Sequence, residues 1–304
     1  MFTVFKELKK NKALYLMSIP GIIWFMIFSY IPLLWIVVAF KQYNFVDGPF
    51  RSPWVGLENF KFYFDSMYFF RTTFNTLLLN SLFIIFGTIA SVVGALMLNE
   101  VKNRHLKKLY QSTMFFPFFL SWIIVAALLY SFLNQSYGSV NILLKSLGLA
   151  TVSWYSEPSL WRPILVFVAV WQGAGYGIVI YISVISSFDI CLYEAAKIDG
   201  ANRFHEIIFI TLPQLVPTII IMLLLSIGRI FYGNFQMIYS IIGDNGVLLP
   251  VTEVIDTYVY RAMKIQGEYG MAAAVGLYQS VMGFFTIIIA NKLAKKYDEN
   301  AGLF

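Results

Sequence analysis

Long apolar stretches alternate with shorter polar segments along the whole chain. They cover residues 13–40, 74–98, 109–133, 163–187, 207–232 and 269–290. A helix of about 20 apolar residues crosses a hydrocarbon core of about 30 Å and satisfies its own backbone in lipid. The pattern therefore predicts an all-α integral membrane protein with six transmembrane helices.

Composition supports this class and narrows the chemistry. Hydrophobic residues make up 59% of the 304-residue chain and charged residues only 12%, which excludes an ordinary soluble domain. The first apolar stretch is too long for the core of a signal peptide, so we interpret it as a retained span. Cys191 is the single cysteine, and no cluster of His, Cys, Asp and Glu has ligand spacing, so we expect neither a disulfide nor a metal site.

Lysine and arginine are concentrated in alternate polar segments. Segments 1–12, 99–109, 188–206 and 291–304 carry 13 of them in 56 positions, whereas 41–73, 134–161 and 233–268 carry 7 in 97. Because cytoplasmic segments are enriched in these residues, the first set is predicted to be cytoplasmic. A membrane domain, 13–290, thus lies between a cytoplasmic N-terminal segment, 1–12, and a cytoplasmic tail, 291–304. The net charge of +6 indicates orientation in membrane lipid rather than nucleic-acid binding.

The polar gap between the fourth and fifth stretches contains the sequence EAAKIDG at residues 194–200. Ser187 or Asp189 is a suitable N-cap, residues 190–198 favour a helix, and Gly200 is a suitable left-handed terminator. We call the predicted nine-residue helix the gap helix. It is too short to be stable alone in water, so we expect a partner to pack on it. Small alanines allow close approach, and Glu194 offers a charge.

A second helix is predicted to follow the gap, capped by Asn202 and running to about Tyr232. At 1.5 Å per residue it would be about 46 Å long and would project from the bilayer. The gap helix would then be held against its base. The pattern alone also fits an amphipathic surface turn with incidental alanines.

The gap also matches the EAA signature of permease subunits from binding-protein-dependent ABC importers. The matching positions are Glu194, Ala195, Ala196, Gly200, Ile210, Leu212 and Pro213. The sequences VGLENF at 55–60 and NTL at 75–77 resemble carbohydrate permeases of the maltose-importer type. The sequences EVIDTYVYR at 253–261 and AVGLYQSV at 274–281 resemble the LplB-type branch, which is associated with complex oligosaccharides and polysaccharide fragments.

The resemblance implies the type I importer permease fold in a bacterial cytoplasmic membrane. Residues Glu194, Ala195, Ala196 and Gly200 would dock on a cytoplasmic ATPase, making the segment 189–200 a coupling helix. The implied partners are a second homologous permease, two ABC ATPase subunits and an extracellular solute-binding protein or lipoprotein. ATP and Mg would bind the ATPases, since this chain has no G-x-x-x-x-G-K-[ST] sequence and is not itself expected to be an enzyme.

A sugar pathway needs aromatic platforms together with amide or hydroxyl groups. The candidates come from the fourth stretch, the end of the fifth and the sixth, and they are Trp171, Gln172, Arg229, Tyr232, Asn234, Gln236, Tyr278 and Gln279. Each also fits a packing or interface role. Arg229 is the single charge within the six stretches, and we hypothesise that it faces the cavity and favours acidic sugars. Gly173, Gly175 and Gly177 predict close helix packing or a kink rather than a nucleotide site.

Two other function classes also use polytopic membrane chains. An ion-coupled secondary transporter usually needs an acidic residue within the membrane, and the six stretches contain no Asp or Glu. Sodium sites built from backbone carbonyls leave that alternative open. A membrane enzyme would need a cluster of nucleophile, base or metal ligands, which the sequence does not offer.

Overall fold

The computed structural model describes residues 11–297, and every regular element in that range is helical. The longer helical segments are Lys12–Phe25, Ile31–Phe40, Tyr68–Asn99, Arg104–Phe115, Trp122–Leu133, Trp161–Ile185, Leu212–Ile227 and Tyr269–Tyr297. The shorter ones are Met26–Tyr30, Gly48–Arg51, Glu58–Phe64, Phe116–Phe119, Ser139–Ser146, Trp154–Ser156, Pro158–Leu160, Ile190–Ile198, Arg203–Glu206, Ile207–Thr211, Phe235–Ile242, Leu249–Thr252, Ile255–Arg261 and Ala262–Gln266. Of the predicted terminal segments, residues 1–10 and 298–304 lie outside the described residues.

Five of the predicted spans are single helical rods long enough to cross a membrane. They are Lys12–Phe40, Tyr68–Asn99, Pro158–Ile185, Arg203–Ile227 and Tyr269–Lys296. The sixth is the pair Arg104–Phe119 and Trp122–Leu133. In chain order we number them spans one to six, the bent pair being span three. The prediction of six apolar membrane segments in an all-α protein is therefore confirmed.

Span three is not the straight helix that the apolar stretch 109–133 predicts, because its halves are bent by 98°. The first half ends in a 3-10 turn that contains Pro117, and Leu120 is extended. Ser121 then caps the second half by accepting the N–H of Ile124. The side chain of Gln172 lies 3.4 Å from the carbonyls of both Phe118 and Leu120. Apolar composition continues through the break, so hydropathy alone does not reveal it.

Span five ends at Ile227 rather than near the predicted Tyr232. Its 25 residues make a rod of about 37 Å, shorter than the predicted 46 Å. The backbone that follows is satisfied by side chains from other spans. Asn80 donates to the carbonyls of Ile230 and Tyr232 at 2.8 and 2.9 Å, and Gln279 donates to Phe231 at 2.8 Å. These long-range partners make an unwound turn stable, since buried backbone groups need hydrogen bonds.

The chain divides into two compact units. Within the described residues, the first comprises 11–66 and 259–278, and the second comprises 67–258 and 279–297. In the first unit, Asn59 donates to the carbonyls of Ala39 and Lys41 at 3.0 and 2.9 Å. The fully buried ring of Tyr63 lies beside Tyr278 in that unit. The EAA sequence and the sugar-pathway candidates other than Tyr278 belong to the second unit.

Spans two and four form the centre of the second unit, and glycines allow close contacts there. A Cβ on Gly175 would lie 2.1 Å from the carbonyl oxygen of Met114, and one on Gly177 would lie 2.4 Å from Ser91 Oγ. The predicted packing role is thus confirmed for these two glycines. Gly173 differs, because no atom lies within 4 Å of its Cβ position. Its side of span four faces open space.

Candidate functional site

The gap helix runs from Ile190 to Ile198, as the sequence predicts. Asp189 caps its first turn by accepting the N–H of Cys191 at 2.9 Å. At the other end, the N–H of Ala201 bonds to the carbonyl of Ala196 and that of Gly200 bonds to Lys197, which is a Schellman motif. Gly200 has a φ of +80° with no atom near its Cβ position. Glycine is therefore required here by the left-handed backbone conformation and not by a close contact at the Cβ position.

One face of the gap helix is uncovered. None of its nine residues is buried, and Ile190 and Ile198 are 70% and 87% exposed. Glu194 lies between them on the same face, because residues four apart are neighbours on a helix. Cys191 and Ala195 are also exposed, whereas Tyr193 and Ala196 are half-buried. The helix thus presents apolar surface and one carboxylate away from the spans.

The thiol of Cys191 belongs to this uncovered face. The hydrogen bond to Asp189, together with the negative charge of that carboxylate, raises the pKa of the thiol above its ordinary value. Because the thiolate is the reactive form, Cys191 is an accessible but slow nucleophile near neutral pH.

A second feature is a cleft of about 270 Å³ between spans two, four and five. The lining is largely apolar, and the residues with polar side chains among it all carry hydroxyl groups: Thr88, Ser91, Tyr176, Tyr181 and Ser226. Ser91 donates to the carbonyl of Ala174 and Ser226 to that of Met222, so their oxygens keep acceptor capacity. Among the described residues that line the cleft, none is Asp, Glu, Lys or Arg. The cleft is suited to a neutral, hydroxyl-rich part of a ligand.

An aromatic stack borders this cleft. The ring of Tyr176 is stacked on that of Phe118, with centroids 5.1 Å apart and planes 17° apart. Phe118 is stacked in turn on Phe115 at 5.6 Å. Tyr176 is 48% exposed and Gly173 beside it has no side chain, so the cleft remains open next to the ring. Aromatic face and hydroxyls together provide the chemistry that a sugar ring needs.

The sequence candidates occupy other positions, and none of the eight lines this cleft. Gln172 lies at the break of span three, and Trp171 is 41% exposed. The hydroxyl of Tyr232 bonds to Ser280 at 2.8 Å. Gln279 is buried and donates to Asp256 as well as to Phe231, so its amide is used in packing.

The remaining candidates lie near the ends of spans five and six. Asn234 caps the helix Phe235–Ile242 by accepting the N–H of Met237 at 3.1 Å. Gln236 and Arg229 are exposed, Arg229 in the turn after span five. The ring of Tyr278 contacts Phe64 in the first unit. A sugar contact by any of the eight stays a prediction.

Sequence reasoning did not single out the residues of the cleft. Tyr176 is one of 19 tyrosines, so its identity alone carries little information. The available signal was its position between Gly175 and Gly177, where close packing fixes the helix on both sides of an aromatic residue.

A buried polar network was also missed. Arg71 forms an ion pair with the buried carboxylate of Glu253. Asn75 donates to the carbonyls of Pro250 and Glu253 at 3.1 Å each and accepts from Arg162 at 3.0 Å. The network fixes the segment before Ile255–Arg261 to spans two and four. Buried charges of this kind are costly unless paired, so the pairing is needed for stability.

Comparison with known proteins places the chain in a family. The sequence profile described as "Binding-protein-dependent transport system inner membrane component" matches residues 87–299. Protein LplB of Bacillus subtilis (strain 168) is 39% identical over 297 residues, which are 98% of this chain and 92% of LplB. The polygalacturonan/rhamnogalacturonan transport system permease protein YteP of that organism is 36% identical over 293 residues, covering 96% and 91% of the two chains.

Solved structures agree with these relatives. A chain from a bacterial ABC transporter involved in the import of the acidic polysaccharide alginate is 35% identical, with a TM-score of 0.88 and coverage of 97% of this chain and 99% of that one. The bacterial alginate ABC transporter in complex with an alginate pentasaccharide-bound periplasmic protein gives a TM-score of 0.87 at 35% identity, with 96% and 97% covered. The predicted fold is confirmed, and the ABC class is favoured over an ion-coupled carrier. The chain belongs to the family of binding-protein-dependent transport system inner membrane components and is a multi-pass permease of the carbohydrate ABC importer type.

Proposed function

We propose that the chain is one transmembrane subunit of an ATP-driven importer for oligosaccharides or polysaccharide fragments. The observation that carries the proposal is the uncovered face of the gap helix, which presents Glu194 between two exposed isoleucines. Exposed apolar side chains that cluster on one face are unfavourable in water, so a protein partner is expected to cover them. ATPase subunits that bind ATP and Mg are that partner, and their docking contacts would be Glu194, Ala195, Ala196 and Gly200.

The remaining partners and the orientation belong to the same proposal. The surplus of Lys and Arg in segments 1–12, 99–109, 188–206 and 291–304 supports cytoplasmic termini and a cytoplasmic gap helix. A second homologous permease would complete the membrane pathway. A solute-binding protein would deliver the sugar from outside, as the alginate transporter's pentasaccharide-bound periplasmic protein indicates for that relative.

The cleft supports a saccharide as the substrate. Its aromatic stack offers a surface for the apolar face of a sugar ring, and its hydroxyls suit the ring's edge. YteP is named for polygalacturonan and rhamnogalacturonan, and the alginate transporter for an acidic polysaccharide. We infer a fragment of a polysaccharide, with acidic sugars as the class to test first.

Labelling of Cys191 tests the ATPase contact without an engineered cysteine. We expect a maleimide to label Cys191 when the permease pair has no ATPase bound. After cysteine-free ATPase subunits bind, labelling should be at least about tenfold slower, because a covered thiol is inaccessible. The control variant combines Cys191→Ser with Val46→Cys, a 91% exposed site in the first unit, whose labelling should not change. An unchanged rate at Cys191 in a complex that copurifies with its ATPases would contradict docking on this face.

Uptake into proteoliposomes tests the substrate class. With the binding protein outside, we expect ATP-dependent uptake of oligosaccharides. For Arg229→Ala, the uptake of uronate oligomers should fall by about tenfold, because a charge-assisted hydrogen bond is lost, and the uptake of neutral oligomers should not change. Arg51→Ala, which removes an exposed arginine in the first unit, is the matched control. Equal uptake of both sugar classes by Arg229→Ala and the unmodified protein would refute the role of Arg229.

A further inference from the structure

A chain of two hydrogen bonds joins the gap helix to span five. The hydroxyl oxygens of Tyr193 and Thr211 are 3.0 Å apart, and the Thr211 hydroxyl donates to the carbonyl of Glu206 at 3.3 Å. A threonine hydroxyl has one hydrogen, so Thr211 accepts from Tyr193 when it donates to Glu206. The order is therefore Tyr193 to Thr211 to the backbone of span five. Thr211 is 2% exposed, so this chain of bonds ends within the protein.

The receiving end of this chain is an irregular turn. Residues Ile207–Thr211 form a π-helix between Arg203–Glu206 and Leu212–Ile227. Single π turns are rare in proteins as a whole, and those that occur are often found at functional sites. The side chain of Glu206 is buried and accepts from Arg203 at 2.9 Å, which fixes the residue whose carbonyl ends the chain. The contact from the gap helix thus enters span five at an anchored, non-α turn.

The gap helix has little else to hold it rigidly. None of its residues is buried, and a cleft of about 310 Å³, partly lined by Tyr193, Lys197 and Glu206, separates part of it from its neighbours. Each of its ends is closed by a local cap, Asp189 on one side and the Schellman motif at Gly200 on the other. These caps stay within the gap and its own helix, whereas the bond from Tyr193 to Thr211 joins the gap helix to span five.

We propose that Tyr193 and Thr211 form a latch that makes span five follow the gap helix. The inference rests on the proposed function, in which the ATPases move that helix. With the latch closed, displacement of the gap helix pulls on the π turn and moves span five. Ser226 of that span lines the cleft of about 270 Å³ between spans two, four and five. With the latch open, the helix pivots on its flanks and the ATPase cycle continues without moving the span. Tyr193 and Thr211 are positioning residues, since they would act on transport through span five.

The test is the number of sugars transported per ATP hydrolysed in proteoliposomes that contain the complete complex. We expect Tyr193→Phe and Thr211→Val each to lower this ratio by about threefold to tenfold, because each removes the same hydrogen bond. The double variant should be no worse than Thr211→Val alone, since that single change already removes both bonds of the chain. Thr211→Ser keeps a hydroxyl and should restore most of the ratio. Tyr110→Phe, which alters an exposed tyrosine, is the control.

Protection of Cys191 separates a latch from a general structural role. Tyr193→Phe should retain the protection of Cys191 by ATPases and should continue to hydrolyse ATP. Loss of protection in that variant, an unchanged ratio, or additive losses in the double variant would each overturn the latch. Failure of the unmodified complex to take up sugar with ATP and binding protein would instead overturn the proposed function.

Discussion

Glu194→Lys and Gly200→Val are expected to abolish the stimulation of ATP hydrolysis by sugar-loaded binding protein. The first variant reverses the negative charge that the gap helix presents on its uncovered face. The second places a β-branched residue at a φ of +80°, which costs about 1–2 kcal/mol and disrupts the Schellman motif. We expect stimulation to fall to the level of the complex without binding protein, while both variants insert into the membrane normally.

Asp199→Lys is the matched control for Glu194→Lys, because it makes the same charge change at an exposed neighbour outside the EAA signature. It should keep most of the stimulation. The measurement is phosphate release from reconstituted complexes with and without loaded binding protein, and membrane content is checked by immunoblot. Full stimulation in both Glu194→Lys and Gly200→Val would rule out the gap helix as the ATPase contact.

Gly173→Trp is expected to stop sugar uptake by filling the cleft. The Cβ position of Gly173 has no atom within 4 Å, so the helix can accept a side chain, and the indole would then occupy much of a cleft of about 270 Å³. Uptake into proteoliposomes should fall to background. Gly173→Ala adds only a methyl group and should transport nearly as well as the unmodified protein.

Gly21→Trp is the control for bulk, since Gly21 in span one also has no atom within 4 Å of its Cβ position. It should leave uptake unchanged. Cys191 protection in the Gly173→Trp complex shows whether the subunits still assemble. Normal uptake by an assembled Gly173→Trp complex would exclude the cleft from the sugar pathway.

Much of the fold could be predicted from local sequence. The six apolar stretches identify the spans because hydrophobic length is a strong signal in lipid, and Gly200 identifies the end of the gap helix because few residues tolerate its φ. The ends of spans were less predictable. Span five stops at Ile227 because Asn80 and Gln279 satisfy the following carbonyls, and those partners are distant in sequence.

The candidate site was less accessible to sequence reasoning than the fold. The cleft between spans two, four and five exists only when the three spans pack together. Thr88, Tyr176 and Ser226, one from each span, are therefore not recognisable as neighbours from the sequence. Polar groups selected from sequence, such as Gln279, proved to be occupied by packing hydrogen bonds. Arg71 and Glu253 are 182 residues apart, and no local pattern indicates that they pair.

The bend in span three gives its two halves different packing partners. The first half lies against span four at Gly175, whereas the second half, through Val125, shares a core with Met237 and Ile238 of the helix Phe235–Ile242. A straight helix of the same length would point both halves in one direction. The bend of 98° lets a single apolar segment fill two packing surfaces that run in different directions.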